Sequence, residues 1–310
     1  MDRTATIYVA GGETIVGRAI RARLGVLGFT GVIGTAEPDL RDRADVRAFF
    51  ERARPEYVFV TAGRTAGIAG NQRVPAELML DNLLVAAHVI PAAWDHGAAK
   101  LLYLTSSCTY PRLAGQPLQI ASLWSGPLEP TSTPYAVSKL AGMTLGDAYR
   151  RQHGARFITG ISADVYGPGD DFSAEDSHVV AALIRRLHDA RLSGAPRVTI
   201  WGTGTPRREF IHADDLADAC LFAMHHYEDP VPLNLGTGAS TSIAELATLV
   251  AKVVGYTGVL EYDTTKPDGM PFKGLDSSAL HDLGWRPRIT LEEGLRLTYE
   301  WFARQPGLHS

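Results

Sequence analysis

Tyr135-Ala136-Val137-Ser138-Lys139 sets a phenol and an ammonium four residues apart, and Ser106-Ser107-Cys108 lies upstream, at the end of the strand-like run Leu101-Leu102-Tyr103-Leu104-Thr105. Thr133 reads as a helix N-cap and Pro134 as the first helical residue, so Tyr135 and Lys139 share one helix face. A free phenol, with a pKa of about 10, is a poor acid-base catalyst at neutral pH, but a neighbouring ammonium stabilises the phenolate and draws that value down. Tyr135 would then exchange a proton with a substrate oxygen while a nicotinamide moves the hydride. Tyr-x-x-x-Lys also occurs by chance on ordinary amphipathic helices. The serine cluster turns it into a candidate hydride-transfer site.

Such a site needs a dinucleotide, and the start of the chain offers a place for one. Thr6-Ile7-Tyr8-Val9-Ala10 reads as a strand, Gly11-Gly12-Glu13-Thr14-Ile15-Val16-Gly17 as a glycine-rich turn, and the pattern through Leu27 as a helix. A helix amino-terminus approached closely by backbone is a ready pyrophosphate site, which makes Gly11, Thr14, Ile15, Val16 and Gly17 candidate cofactor contacts. Gly11 and Gly17 fit the outer positions of a G-x-x-G-x-x-G loop, whereas Thr14 stands where a middle glycine would let the backbone come closest. A structural turn without a cofactor is the alternative. The next strand, Gly31-Val32-Ile33-Gly34, leads into Thr35-Ala36-Glu37-Pro38-Asp39-Leu40. An arginine at its end would accept a 2′-phosphate and an acid the 2′-hydroxyl. Gly34 and Ala36 offer neither, and Glu13 and Glu37 would repel a phosphate. Asp39 and Leu40 are expected near the adenine, with capping of the helix Asp42 to Arg52 as the other reading of Asp39.

Tyr57-Val58-Phe59-Val60-Thr61-Ala62-Gly63 has the composition of a buried parallel strand whose end, at Ala62, adds a further cofactor contact. A helix around Asn82 to Trp94, the run Leu101 to Thr105, the Tyr135 helix ending near Gly154, and Phe157-Ile158-Thr159-Gly160-Ile161 continue the alternation. This rhythm predicts an α/β fold, a doubly wound parallel sheet of Rossmann type. After Tyr166-Gly167-Pro168-Gly169 the pattern loosens into a smaller α/β lobe. Val198-Thr199-Ile200-Trp201 and Phe210-Ile211-His212 are expected as short strands around a Gly202 to Pro206 turn, with helices at Ser242 to Val254 and Leu291 to Phe302. The dinucleotide-binding domain is expected over residues 1–166, with return segments at about 203–238. The substrate lobe would comprise 167–202 and 239–310.

At 310 residues, 45% hydrophobic and 21% charged, the chain can bury a large core. A net charge of −4 without a basic block argues against nucleic-acid or membrane partners, although a few placed arginines would still hold an anionic ligand. No uninterrupted apolar run of bilayer-spanning length and no signal peptide is visible, so a soluble, cytoplasmic protein is expected. Two cysteines, Cys108 and Cys220, are too few for a metal cluster and are expected as free thiols.

The glycine loop, Ser106-Ser107-Cys108-Thr109-Tyr110-Pro111, Glu129-Pro130-Thr131 through Lys139, and Val165-Tyr166-Gly167-Pro168 together resemble the extended short-chain dehydrogenase/reductase superfamily. Within it, Asp176-Ser177-His178-Val179-Val180, the run Ala182 to His188, Trp201 through Phe210, and Lys266-Pro267-Asp268-Gly269 are similar to the GDP-L-fucose synthase subfamily. The resemblance covers nearly the whole chain. It implies 3,5-epimerisation and 4-reduction of a GDP-linked 4-keto-6-deoxy-hexose. Cys108 and His178 would be acid and base for the carbons beside the ketone; an inert thiol and a helix-cap histidine are the alternative readings. Ser106 would hold the carbonyl, Tyr135 would donate the proton, and Lys139 would tune Tyr135 and bind the nicotinamide ribose. Arg186, Trp201, Arg208 and Lys266 would bind the nucleotide-sugar, with Arg185 and Arg207 directed elsewhere. The resemblance also implies a homodimer and NADP as cofactor, whereas Glu13, Gly34 and Ala36 favour NAD. Ala163-Asp164-Val165 and Phe272 depart from the subfamily pattern, so the pocket itself is expected to be altered. A redox-neutral epimerase or dehydratase with retained NAD, and a non-catalytic nucleotide-binding module, remain the competing readings.

Overall fold

A computed structural model describes residues 1–34, 37–174, 176–266 and 268–305. The first half alternates strand and helix: β1 (Ile7–Ala10), α1 (Ile15–Val26), α2 (Arg43–Ala53), β2 (Tyr57–Val60), α3 (Ile68–Arg73), α4 (Pro75–Asp95), β3 (Lys100–Ser106), α5 (Thr133–His153) and β4 (Phe157–Ser162). The strand residues are mostly apolar and nearly all buried, as a sheet covered on both faces requires. Val32 bridges Ile7 in parallel, so the strand expected at Gly31 to Gly34 shrinks to a single bridge beside β1. Gly31 is needed there, because a Cβ on it would meet the Ala5 carbonyl oxygen at 2.2 Å.

The chain leaves β1 outward through α1 and returns through α2 to β2, on the other side of β1. Right-handed crossovers therefore place α1 and α2 on opposite faces. α2, α4 and α5 form one helical layer. α4 is long and apolar enough to cross a membrane, although Glu77 and Asp81 break its run of apolar residues and 44% of its most apolar stretch is buried in this layer. Such a reversal of winding opens a crevice at the carboxyl ends of β1 and β2, where a doubly wound sheet takes its ligand.

The second half comprises β5 (Asp164–Tyr166), α6 (Val179–Ser193), β6 (Arg197–Trp201), β7 (Arg207–Arg208), β8 (Phe210–His212), α7 (Ala213–His226), β9 (Leu233–Leu235), β10 (Thr241–Ser242), α8 (Ile243–Val254), β11 (Val259–Asp263), β12 (Phe272–Lys273), α9 (Ser278–Asp282) and α10 (Leu291–Ala303). β9 joins the main sheet, in the all-parallel order β1-β2-β3-β4-β9, and α7 packs on α1. β6 pairs with β11, β5 with β8, and β7 lies between β10 and β12. The two strands expected around the Gly202 to Pro206 turn thus pair with other partners. A separate hydrophobic core forms from Leu183, Ile184 and Leu187 of α6, Leu246 and Val250 of α8, and Leu295 and Phe302 of α10.

Two helix starts differ from expectation. Asp42 caps α2, accepting from the backbone N–H of Ala44 and Asp45, while Asp39 pairs with Arg41 at 2.9 Å. Ser132 occupies the N-cap of α5, and Thr133 is helical, its hydroxyl donating to the Glu129 carbonyl at 2.9 Å. A carbonyl four residues back satisfies the threonine more readily than the cap does.

Candidate active site

The crevice at β1 begins with a loop closed by threonine. Thr14 caps α1: its oxygen accepts from Gly17 N at 3.0 Å and donates to the Gly11 carbonyl at 2.8 Å, holding the turn where a middle glycine was expected. Gly11 has φ +84° and Gly17 packs on the Gly11 carbonyl, which an added Cβ would meet at 2.0 Å. The remaining first-turn N–H groups of α1, among them those of Ile15 and Val16, have no intrahelical partner, so this helix end suits a pyrophosphate. Ala62 closes the other side, its Cα 2.5 Å from where a Gly11 Cβ would stand. The residues present therefore fit a dinucleotide.

The ribose end is acidic. The Glu37 carboxylate accepts from Gly11 N and, at 3.2 Å, from the Tyr8 hydroxyl. Glu13 is exposed and paired with Arg21 at 2.9 Å, beside Gly34. Ala36 lies outside the described residues. Leu40 is buried, its carbonyl 3.1 Å from His88 Nδ1.

The five expected catalytic residues lie on elements that converge at the far side of the crevice. β3 delivers Ser106, whose oxygen accepts from Cys108 N at 3.3 Å in a short 3-10 turn. Tyr135, in the first turn of α5, is within the influence of the Ser106 and Thr65 side chains, which favour its phenolate. One turn on, Lys139 is buried, its Nζ 3.3 Å from the Ala62 carbonyl, 3.4 Å from that of Leu104 and 5.3 Å from the centre of the Tyr103 ring. Burial draws the Lys139 ammonium down to about 8. The expectation that this ammonium pulls the Tyr135 pKa down does not hold in the ligand-free chain. There burial pushes the phenol up, Cys108 and Tyr103 add to it, and only the side chains of Ser106 and Thr65 oppose. Desolvation of the phenolate is the largest of these influences.

His178 is the N-cap of α6 but makes no side-chain cap hydrogen bond. Its Nε2 lies 3.2 Å from Thr65 Oγ1, so Thr65 joins Tyr135 to His178. Burial lowers the imidazole pKa, with Asp164 opposing. Cys108 is half-buried, its Sγ 4.0 Å from Lys273 Nζ, and Lys273 binds Asp164 Oδ1 at 2.5 Å. Cys220 is a fully buried thiol, raised by burial. Among the described residues no group of three or more His, Cys, Asp or Glu side chains could hold a metal ion.

Arg208 reaches the same cluster. Burial lowers its pKa while Asp164, Cys108, Glu129 and Asp268 hold it up. The other expected substrate residues stand along a neighbouring rim: Arg186 donates to the Thr199 carbonyl at 2.8 Å, and Lys266 lies 5.5 Å over the exposed Trp201 ring. Asp268 ties this rim down by accepting from Thr203 N at 2.7 Å; Pro267, in the same motif, lies outside the described residues. Arg185 and Arg207 turn away, to the Phe172 carbonyl and to Glu245 respectively. Thr65 and Lys273 carried no role in the sequence reading, and Asp164 figured only as a departure in a motif. Thr65 sits in a loop without a motif, and the 109 positions between Asp164 and Lys273 left no spacing to read.

The sequence profile described as the NAD dependent epimerase/dehydratase family matches residues 7–236. GDP-L-fucose synthase 1 of Arabidopsis thaliana is 46% identical, over 98% of this chain and 94% of its own. GDP-L-fucose synthase of Escherichia coli (strain K12) is 41% identical, over 96% of both. Among solved structures, a GDP-6-OMe-4-keto-L-xylo-heptose reductase from C. jejuni superposes with a TM-score of 0.93 at 32% identity, over 98% of this chain and 99% of that one.

Proposed function

The chain belongs to the NAD dependent epimerase/dehydratase family, and from that premise we propose that it inverts C3 and C5 of a GDP-linked 4-keto-6-deoxy-hexose and then reduces the C4 ketone. The observation that carries the reading is one cluster holding two kinds of machinery: Ser106, Tyr135 and Lys139 for reduction, and Cys108 and His178 for inversion, with Thr65 between Tyr135 and His178.

A C4 ketone acidifies the C–H bonds on both neighbouring carbons. Inversion at each needs one group to remove a proton and another, on the opposite ring face, to return one. A thiol and an imidazole suit both steps near neutral pH. Burial keeps the ligand-free His178 neutral and able to accept a proton. In the second stage Ser106 Oγ and Tyr135 Oη hold the carbonyl oxygen, and Tyr135 gives it a proton as negative charge develops there. Lys139, buried behind Tyr135, supplies positive charge once that proton leaves. When bound, the nicotinamide supplies the hydride for C4. Gly11, Thr14, Ile15, Val16, Gly17, Asp39, Leu40 and Ala62 are the residues assigned to the dinucleotide. Arg186, Trp201, Arg208 and Lys266 are assigned to the GDP-sugar, Arg208 and Arg186 offering planar forks suited to a diphosphate.

The cofactor is a nicotinamide dinucleotide, and we assign it as NAD(H). A 2′-phosphate would meet the exposed carboxylate of Glu13 and no arginine at Gly34, and Arg21 is already engaged by Glu13. We further assign residues 1–166 with 203–238 to the dinucleotide domain and the rest to the sugar lobe, a cytoplasmic setting, and a homodimer formed through α4 and α5, where Leu80 and Val137 are exposed. Such a two-fold interface is isologous. Light scattering at micromolar concentration checks it: twice the chain mass is expected, and the mass of one chain would refute it.

The activity is tested by following reduced nicotinamide in the presence of the GDP-linked 4-keto-6-deoxy-hexose. Stoichiometric loss is expected. An inverted sugar formed without any loss would instead identify a redox-neutral epimerase, and failure to bind any dinucleotide would identify a non-catalytic module.

A further inference from the structure

Asp164 and Lys273 come from strands that do not pair with each other, yet their side chains meet beside Cys108. β5 carries Asp164 and pairs in parallel with β8; β12 carries Lys273 and pairs in parallel with β7. Glu209 lies between β7 and β8 and fixes both: its carbonyl accepts from Asp164 N at 3.0 Å, and its N–H donates to the Lys273 carbonyl at 3.1 Å. The Glu209 side chain is itself buried and accepts from the backbone N–H of Thr237, of Gly238 at 2.8 Å and of Leu275 at 2.6 Å. The pair is therefore set by backbone on both sides. Lys273 Nζ lies 2.5 Å from Asp164 Oδ1 and 4.0 Å from Cys108 Sγ.

One ammonium thus faces two potential anions, a carboxylate in contact and a thiol a little farther away. We propose that Asp164 is a positioning residue for Cys108: by holding Lys273, it turns the ammonium towards the carboxylate and away from the thiol that serves as the acid of the inversion chemistry. The inference rests on the acid-base role assigned to Cys108 above. The other groups in charge contact with that side chain are Tyr135 from α5 and Arg208 from β7, while Asp164 and Lys273 act in opposite senses on His178. Burial and the Asp164 charge act on Lys273 in opposite senses, and the carboxylate prevails, leaving the ammonium above its ordinary range. Asp164 is pushed up by burial, but Lys273 outweighs this and it ends below the usual carboxylate range. Both partners are therefore charged at neutral pH, as the proposal requires.

The test reads the thiol directly, without substrate or cofactor, so its failure is distinct from failure of the proposed activity. Alkylation of the ligand-free protein by iodoacetamide is followed against pH by mass spectrometry; Cys220 is fully buried, so the modified site is Cys108. In Asp164→Asn, Lys273 turns its whole charge on the thiolate, and the midpoint is expected to fall by about one pH unit, with alkylation near neutrality about tenfold faster. In Lys273→Met the carboxylate faces the thiol alone, and the midpoint is expected to rise by about the same amount. A merely structural pair would disturb the pocket without opposite shifts. Midpoints that move the same way in both variants, or that stay at the wild-type value, overturn the proposal. Asp164→Asn preserves shape; should Lys273→Met fail to fold, Lys273→Gln takes its place under the same criterion.

Discussion

Cofactor choice is the point at which these residues and the subfamily they resemble part, and a designed reversal measures it. Gly34 leaves open space: the nearest atom to an added Cβ would be Arg21 Nη2, at 3.9 Å. The Cβ of Gly34→Arg therefore meets no close atom among the described residues, and Glu13→Ala removes the carboxylate that occupies Arg21 at 2.9 Å. The Glu13–Arg21 pair is largely exposed, so its loss should change stability by no more than about 1 kcal/mol. A charge-assisted contact to a 2′-phosphate contributes roughly 1.5 to 3 kcal/mol. At about 1.4 kcal/mol per decade, the double variant should improve NADPH binding relative to NADH by roughly 10- to 100-fold. Fluorescence titration of the ligand-free proteins with both reduced cofactors reads this directly. The wild type is expected to bind NADH more tightly. A wild type that prefers NADPH tenfold, or a double variant with an unchanged ratio, would refute the reasoning and show that another basic residue meets the phosphate.

Tyr135→Phe removes only the proton donor, so the reduction rate should fall by about 100-fold or more while GDP-sugar affinity, read by calorimetry, stays near wild type. Cys108→Ser and His178→Asn should each suppress exchange of the ring protons with deuterated water, measured by NMR, while reduction of uninverted ketone persists. Lys139→Met should stabilise the fold, because burial holds the ammonium at about 8 against an ordinary 10.5 and so opposes folding wherever it is protonated. The folded pKa lies below the unfolded one, so this gain of about 3 kcal/mol should be complete below pH 8 and vanish as pH rises towards 10.5. Denaturant unfolding across that range checks it.

Much of the site was legible because local rules positioned it. Tyr135 and Lys139 share a helix face by spacing alone, Ser106 follows from the end of a buried strand, and the first glycine turn from its place between β1 and α1. The parts that were not legible depend on packing. Asp164 and Lys273 are brought together by two separate strand pairs on either side of Glu209. The loss of a regular strand at Gly31 to Gly34 follows from tertiary contact, since only a bridge to Ile7 forms there. The Tyr135 phenol went the wrong way because burial, which spacing does not report, is the largest influence on it, with Cys108 and Tyr103 acting in the same sense. Thr133 misled through a hydroxyl that found the Glu129 carbonyl, in the turn preceding α5.

The central claim is that one cluster both inverts and reduces. It is tested most directly by running the reaction in deuterated water with the GDP-linked 4-keto-6-deoxy-hexose and reduced nicotinamide, then locating deuterium in the product by NMR. Deuterium at both C3 and C5 of the reduced sugar is expected, with one reduced nicotinamide consumed per product and none of the solvent deuterium at C4. A reduced product carrying no deuterium at C3 or C5 would contradict the claim, leaving Cys108 and His178 without the role assigned to them.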